Sequence, residues 1–235
     1  MRFDGPEVAL VAQAAAQAGV FVVIGVIERD GGTLYCTVAF IDATGAVVGH
    51  HRKLMPTAAE RLIWGAGDGS TLPVLDSPAG GIGAAICWEN YMPLLRQAMY
   101  ARGVELYCAP TVEDRDVWQH TMVHVALEGR CFVLAACQFL RLADCPADYA
   151  TAIEPGPDWV PIGGGSVIVD PLGEVLAGPV YGQEAILVAE IDLDRKTRSH
   201  LDFDAVGHYA RPDVFELLVD DRPKRPVTFR SHRDG

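Results

Sequence analysis

The sequence predicts a mixed α/β fold in a single domain. Short apolar segments, typical of buried strands, alternate with longer segments whose apolar residues have helical spacing. Several strands are joined by turns too short to hold a helix, such as Asp30-Gly31-Gly32 and Ala43-Thr44-Gly45. Interleaved helices together with such tight turns indicate a mixed sheet rather than a purely parallel one.

Composition sets further bounds on the fold and on the partners. With 235 residues, 50% of them hydrophobic, the chain can form one substantial core and is not of the disordered class. A net charge of −12 argues against a nucleic-acid partner. No apolar run approaches the roughly 18 residues of a membrane helix, so no membrane partner is expected. Six scattered cysteines suit reduced thiols in the cytoplasm better than a disulfide framework.

The elements follow in order along the chain. Helices are predicted where apolar residues recur at helical spacing, and Gly19 and Asp192 are read as a helix stop and a helix cap. The predicted helices span residues 6–18, 92–101, 114–128 and 192–201. The predicted strands span residues 20–26, 34–41, 46–50, 72–75, 81–86, 105–109, 130–137, 165–170, 174–177 and 185–191.

Cys87 lies where a small, apolar strand ends and a helix is predicted to begin. A thiol there can sit near the unpaired N–H groups of a helix start, which favour the thiolate. Cys87 is therefore a candidate nucleophile. The alternative is a small core residue, because free cysteine is among the most buried residue types.

Three segments resemble motifs of the nitrilases, a branch of the carbon–nitrogen hydrolase superfamily. They are Cys87–Tyr91 (CWENY), His51–Arg61 (HRKLMPTAAER) and Cys108–Thr111 (CAPT), in the family's order and spacing. The resemblance extends through Tyr209–Asp213. It implies a carbon–nitrogen hydrolase domain over residues 1–221 and a short C-terminal tail over 222–235.

The resemblance also implies a fold and an assembly. The expected fold is a four-layer α-β-β-α sandwich without metal or cofactor. Family members pair through the helices that follow the site strands, so a homodimer or higher homo-oligomer is expected. In these helices Met92, Met99, Tyr100 and Met122 are predicted to lie beyond the core face.

The resemblance assigns the site residues. Cys87 becomes the nucleophile, and Lys53 becomes the cation near the developing nitrogen charge. Glu60 is expected to orient Lys53 or assist proton transfer, with a plain surface glutamate as the alternative. Substrate-binding roles are expected for Trp88, Tyr91 and Thr111. For the two aromatic residues, the alternative is an ordinary place in the hydrophobic core.

The implied reaction converts a nitrile to a carboxylic acid and ammonia through a thioimidate and a thioester on Cys87. The alternatives are an amidase of the same superfamily and a scaffold that has lost catalysis. The family's general base is a glutamate in a Phe-Pro-Glu type motif before the lysine, and the 235 residues contain no such motif. Neither Glu7 nor Glu28 lies in a matching context. The resemblance therefore predicts a domain that lacks its first strand and helix and is N-terminally incomplete.

Overall fold

The computed structural model describes residues 1–146, 159–224 and 227. Most of the predicted tail over 222–235 lies outside these residues. The helices are α1 (Pro6–Ala18), α2 (Pro93–Ala101), α3 (Val117–Gly129) and α4 (Leu193–Ser199). The strands are β1 (Val22–Asp30), β2 (Thr33–Ile41), β3 (Val47–Arg52), β4 (Val74–Ser77), β5 (Gly80–Ala84), β6 (Leu106–Cys108), β7 (Phe132–Ala135), β8 (Phe139–Leu140), β9 (Ile162–Val169) and β10 (Val175–Tyr181).

The strands form two sheets. The first is antiparallel and has the order β1-β2-β3, with the tight turns at residues 30–32 and 43–45 between its strands. The second has the order β10-β9-β7-β6-β5-β4, and β8 pairs with β9. Within it β5, β6 and β7 are parallel and the other pairs are antiparallel, so this sheet is mixed, as predicted.

The two sheets pack face to face through one apolar cluster. Val38 and Phe40 of β2 belong to the same buried cluster as Ile82 of β5 and Phe132 of β7. Side chains alternate between the faces of a strand, so the next residues of β2 point away from this cluster. They are also buried, which means that the central strand of the first sheet is covered on both faces.

Helices form the two outer layers. On the first sheet α1 comes so close that a Cβ at Gly45, in the β2–β3 turn, would lie 2.6 Å from the carbonyl oxygen of Ala12. On the second sheet α2 and α3 bury Met99, Trp118 and Met122 against Tyr107 in another cluster. The layers are helix, sheet, sheet and helix, which confirms the predicted α-β-β-α sandwich.

Two predictions about individual segments are wrong. Residues 185–191 are not a strand: Ile186 and Val188 are exposed, and no neighbouring strand pairs with them among the described residues. Their apolar run is typical of a buried strand, but a strand also needs a hydrogen-bonded neighbour. In α2 and α3, Met99, Tyr100 and Met122 are buried in the core instead of lying beyond it.

None of the helices in residues 1–146 and 159–224 is both long and apolar enough to cross a membrane. The longest, α1 and α3, each have 13 residues.

Candidate active site

The carboxyl ends of the three parallel strands meet at one edge of the second sheet. Cys87 follows β5, Thr111 follows β6 and Cys137 follows β7. The Cys87 N–H donates to the carbonyl oxygen of Pro110 at 2.9 Å, which joins the first two strand ends. Thr111 in turn forms an isolated bridge with Cys137. In α/β sheets ligands commonly bind at this edge, so the fold brings Cys87 and Thr111 together at a place suited to a site.

Cys87 itself has an unusual backbone conformation. Its φ of +53° lies in the left-handed region, which is sterically costly for a residue with a Cβ. The Asn90 side-chain amide donates to the carbonyl oxygens of Ala85, at 3.0 Å, and Cys87, at 2.7 Å. These bonds hold the strained residue in place, and such strain is concentrated at functional sites.

The segment after Cys87 differs from the prediction. It is a five-residue 3-10 turn, Cys87–Tyr91, and the α-helix begins only at Pro93. A residue before proline is disfavoured in the α conformation, and Met92 is extended, while Pro93 takes the first helical position. The thiol therefore does not lie at the start of a full α-helix.

Lys53 is buried at the end of β3, with only 1% of its surface exposed. Its ammonium donates to Glu60 Oε2 at 2.7 Å and to Thr57 Oγ1 at 3.0 Å. The structure thus brings the predicted pair Lys53 and Glu60 into direct contact. Sequence reasoning missed the role of Thr57, although the spacing Thr-x-x-Glu is the capping-box signal that could have revealed it. The Thr57 N–H indeed donates to Glu60 at 2.6 Å.

A buried carboxylate connects the lysine to the cysteine. Glu89 accepts the N–H of Leu54, next to Lys53, and the N–H of Ile86, next to Cys87. Cys36 contacts both regions: its carbonyl oxygen accepts the N–H of Lys53 at 2.8 Å, and it packs against the apolar cluster that contains Cys87. Burial raises the pKa of the Cys36 thiol to about 11. Lys53 and Cys87 come from different sheets and end in one region of the molecule.

The aromatic residues after the cysteine are not core. Trp88 and Tyr91 are each 41% exposed, so the interpretation as plain core is wrong. Their rings meet edge to face with centroids 5.8 Å apart. The Trp88 indole donates to Glu113 at 2.8 Å, and Thr111 Oγ1 accepts the N–H of Glu113 at 2.9 Å. The substrate contacts of Trp88, Tyr91 and Thr111 stay predictions.

Glu113 is a site residue that the sequence reasoning missed. The Arg115 guanidinium holds the pKa of the Glu113 carboxyl below its usual value, and the Trp88 indole adds to this effect. Glu113 therefore remains ionised and fixes the orientation of Trp88. A cavity of about 250 Å³ opens nearby beside Cys137, with Ser166 and Val180 in its wall.

The thiols differ in their expected reactivity. Burial raises the pKa to about 12 for Cys108, Cys131 and Cys137, so at pH 8 these thiols remain protonated and inert. We expect iodoacetamide to label Cys87 first at pH 8, and Cys108, Cys131 and Cys137 only as the pH approaches their pKa values. Peptide mapping after brief labelling measures this order. Rapid labelling of Cys145 with almost none at Cys87 would contradict an activated Cys87.

Comparison with proteins of known sequence supports one family. The sequence profile named carbon–nitrogen hydrolase matches residues 2–199. A nitrilase from Bradyrhizobium diazoefficiens is 62% identical over 225 residues, which are 96% of this chain and 70% of the relative. An aliphatic nitrilase from Sinorhizobium fredii is 59% identical over 227 residues, 97% of this chain and 73% of the relative.

A solved structure shows the same fold. The carbon–nitrogen hydrolase from Helicobacter pylori G27 superposes with a TM-score of 0.76 over 90% of this chain and 75% of its own, at 21% identity. At this identity the likeness concerns the fold alone, and the sequence relatives provide the assignment. The chain belongs to the carbon–nitrogen hydrolase family, in its nitrilase branch.

Proposed function

We propose that this protein is a nitrilase that hydrolyses a nitrile to a carboxylic acid and ammonia, with Cys87 as nucleophile and Lys53 as the adjacent cation. The observation that carries the proposal is the buried Lys53 ammonium, tied through Glu89 to the strained turn of Cys87. The names of the sequence relatives point to the same activity.

The surroundings of Lys53 suit this role. An ammonium has three N–H donors, and within the described residues two of them bond to Thr57 and Glu60. The third is available for the nitrile nitrogen. Because the lysine is buried, its charge is poorly screened and interacts strongly with negative charge that develops nearby.

The reaction then proceeds in three steps. The Cys87 sulfur bonds to the nitrile carbon, one C–N π bond breaks, and the nitrogen takes a proton to give a thioimidate. A first water adds to this carbon and ammonia leaves, which produces a thioester. A second water adds and the C–S bond breaks, which releases the carboxylic acid and restores the thiol. Lys53 stabilises the nitrogen charge in the first step, and Glu60 holds Lys53 in position.

The steps also need a base that accepts the thiol proton and activates water. The family places this role on the glutamate of its Phe-Pro-Glu type motif, which the 235 residues do not contain. Glu28 is not a substitute, because it is buried in β1 and bound to Thr37 and Arg52. Glu7 lies in the first turn of α1. Glu60 is already bonded to Lys53 and to the N–H of Thr57.

The test is ammonia release from simple nitriles, aliphatic ones first, and from the corresponding amides. It is run on this chain and on the chain preceded by any in-frame coding sequence upstream of Met1, so that the base is included where the gene encodes it. Hydrolysis of nitriles supports the proposal. Turnover of amides alone would indicate the amidase, and no turnover by either protein would indicate a scaffold.

We also propose that the protein acts as a homodimer or higher homo-oligomer through α2 and α3. Leu94 of α2 is 67% exposed, and Val117 and Leu127 of α3 are exposed as well. Self-association would bury these side chains. Sedimentation at micromolar concentration is expected to give at least twice the mass of one chain, 25.3 kDa. A single-chain mass would contradict the proposal.

A cytoplasmic location is proposed on the state of the thiols. All six cysteines lie in the described residues and all are free. Free thiols are typical of a reducing compartment.

A further inference from the structure

The Glu89 carboxylate is 1% exposed and bonds to the backbone on both sides of the site. Its Oε1 accepts the N–H of Leu54 at 2.7 Å, and its Oε2 accepts the N–H of Ile86 at 2.7 Å. Leu54 directly follows Lys53, and Ile86 directly precedes Cys87. One rigid group thus fixes two strand ends that belong to different sheets.

His51 completes this arrangement as the partner of Glu89. Its Nε2 lies 2.9 Å from Oε2 of Glu89, and its Nδ1 contacts the carbonyl oxygen of Thr71. Both oxygens of Glu89 accept backbone N–H groups, which is the bonding pattern of a carboxylate. A carboxylate and a carbonyl can only accept, so both ring nitrogens of His51 face acceptors, which is the bonding pattern of a charged ring. The fully buried pair is therefore neutral as a whole, as a stable buried ion pair requires.

We propose that Glu89, with His51 as its counter-ion, is a positioning residue that sets the separation between the Lys53 ammonium and the Cys87 sulfur. This inference rests on the proposed roles of Lys53 and Cys87. Glu89 has almost no exposed surface, so it acts through the backbone that it holds and does not touch substrate. Because each of its oxygens holds a different strand end, the loss of one acceptor releases one of the two site residues.

The test is the variant Glu89→Gln, which keeps the size of the side chain. Its NH₂ group must face one of the two backbone donors, so one strand end loses its bond. A displacement of about 1 Å at a site can cost ~100-fold in rate. We expect kcat for nitrile hydrolysis to fall about 100-fold while KM stays within about threefold, because substrate contacts are unchanged.

The matched control is Asp170→Asn. Asp170 is also fully buried, accepts the N–H groups of Leu172 at 2.9 Å and Glu174 at 2.8 Å, and contacts Arg195. It lies at the turn between β9 and β10, away from the site, and both of these N–H groups bond to its Oδ1. Asp170→Asn is expected to keep the parental kcat. A parental kcat in Glu89→Gln, or an equal loss in both variants, would overturn the inference.

Two further measurements keep the test decisive. His51→Gln removes the ring that holds both oxygens of Glu89, so the carboxylate shifts and both of its backbone bonds weaken. This variant carries the kinetic test if Glu89→Gln does not fold. We expect kcat to fall about tenfold, and no loss overturns the inference. Hydrogen exchange at the amides of Leu54 and Ile86 needs no turnover. It is expected to accelerate in Glu89→Gln and not in Asp170→Asn, and unchanged exchange would overturn the inference even if the protein hydrolyses no nitrile.

Discussion

The Cys87→Ala variant is expected to hydrolyse nitriles at least ~10⁴-fold more slowly than the parent protein, because it removes the atom that forms the covalent intermediates. Alanine is smaller than cysteine and fits the same turn, and the bonds of Asn90 that hold the turn go to backbone carbonyls. The variant should therefore fold. The variant is made in whichever form of the protein hydrolyses nitriles, this chain or the chain with its upstream coding sequence. Ammonia release under saturating nitrile then gives the loss directly.

The control for this variant is Cys131→Ala. Cys131 is fully buried in the cluster beneath α2 and α3, and its thiol has no part in the proposed chemistry. Its truncation is expected to lower stability slightly and to leave kcat of the folded protein unchanged. Substantial turnover by Cys87→Ala would show that another residue is the nucleophile, and Cys137, which follows β7 at the same edge of the sheet, would be examined first.

The second large effect is expected for Lys53→Met, which replaces the ammonium with an apolar group of similar length. Removing a preorganised electrostatic partner of a developing charge typically costs ~10²–10³ in kcat. Glu60 loses its cation but is partly exposed and keeps the Thr57 N–H, so the variant is expected to fold. Steady-state kinetics should show the loss in kcat.

Lys196→Met provides the matched control. Lys196 of α4 is partly buried and also pairs with a glutamate, Glu105, with 3.4 Å between Nζ and Oε1. The variant shows what the loss of a paired, partly buried lysine does to the stability of the fold. Equal losses of kcat in both variants would assign Lys53 to stability alone, and a parental kcat in Lys53→Met would remove it from the mechanism.

Local sequence patterns were sufficient for most elements of the fold. The helix over residues 6–18 has the predicted bounds because its apolar spacing, its first-turn proline and Gly19 all act within the helix itself. Asp192 caps α4 as predicted, since a cap also bonds to the nearest turn. The segment 185–191 was predicted wrongly because the pairing of a strand depends on a neighbour that is distant in sequence.

In the candidate site, too, some features follow from local sequence and others depend on residues distant in sequence. Sequence motifs singled out Cys87, Lys53 and Glu60, and the contact of Lys53 with Glu60 spans only seven residues. The half-exposed surroundings of Trp88 and its bond to Glu113 could not be read locally, because Glu113 follows a different strand. Burial of a side chain is a property of the packed layers, and for the same reason Met99 and Met122 were misplaced.

By itself the sequence determined the family, the mixed α/β architecture and the residue types that the chemistry needs. Only the tertiary structure decided how those residues are held: the left-handed backbone of Cys87, and the bonds from Glu89 to the amides next to Lys53 and Cys87. The physical reason is that the bond from Glu89 to Leu54 joins residues 35 positions apart, at the ends of strands in two sheets that meet only when the layers pack.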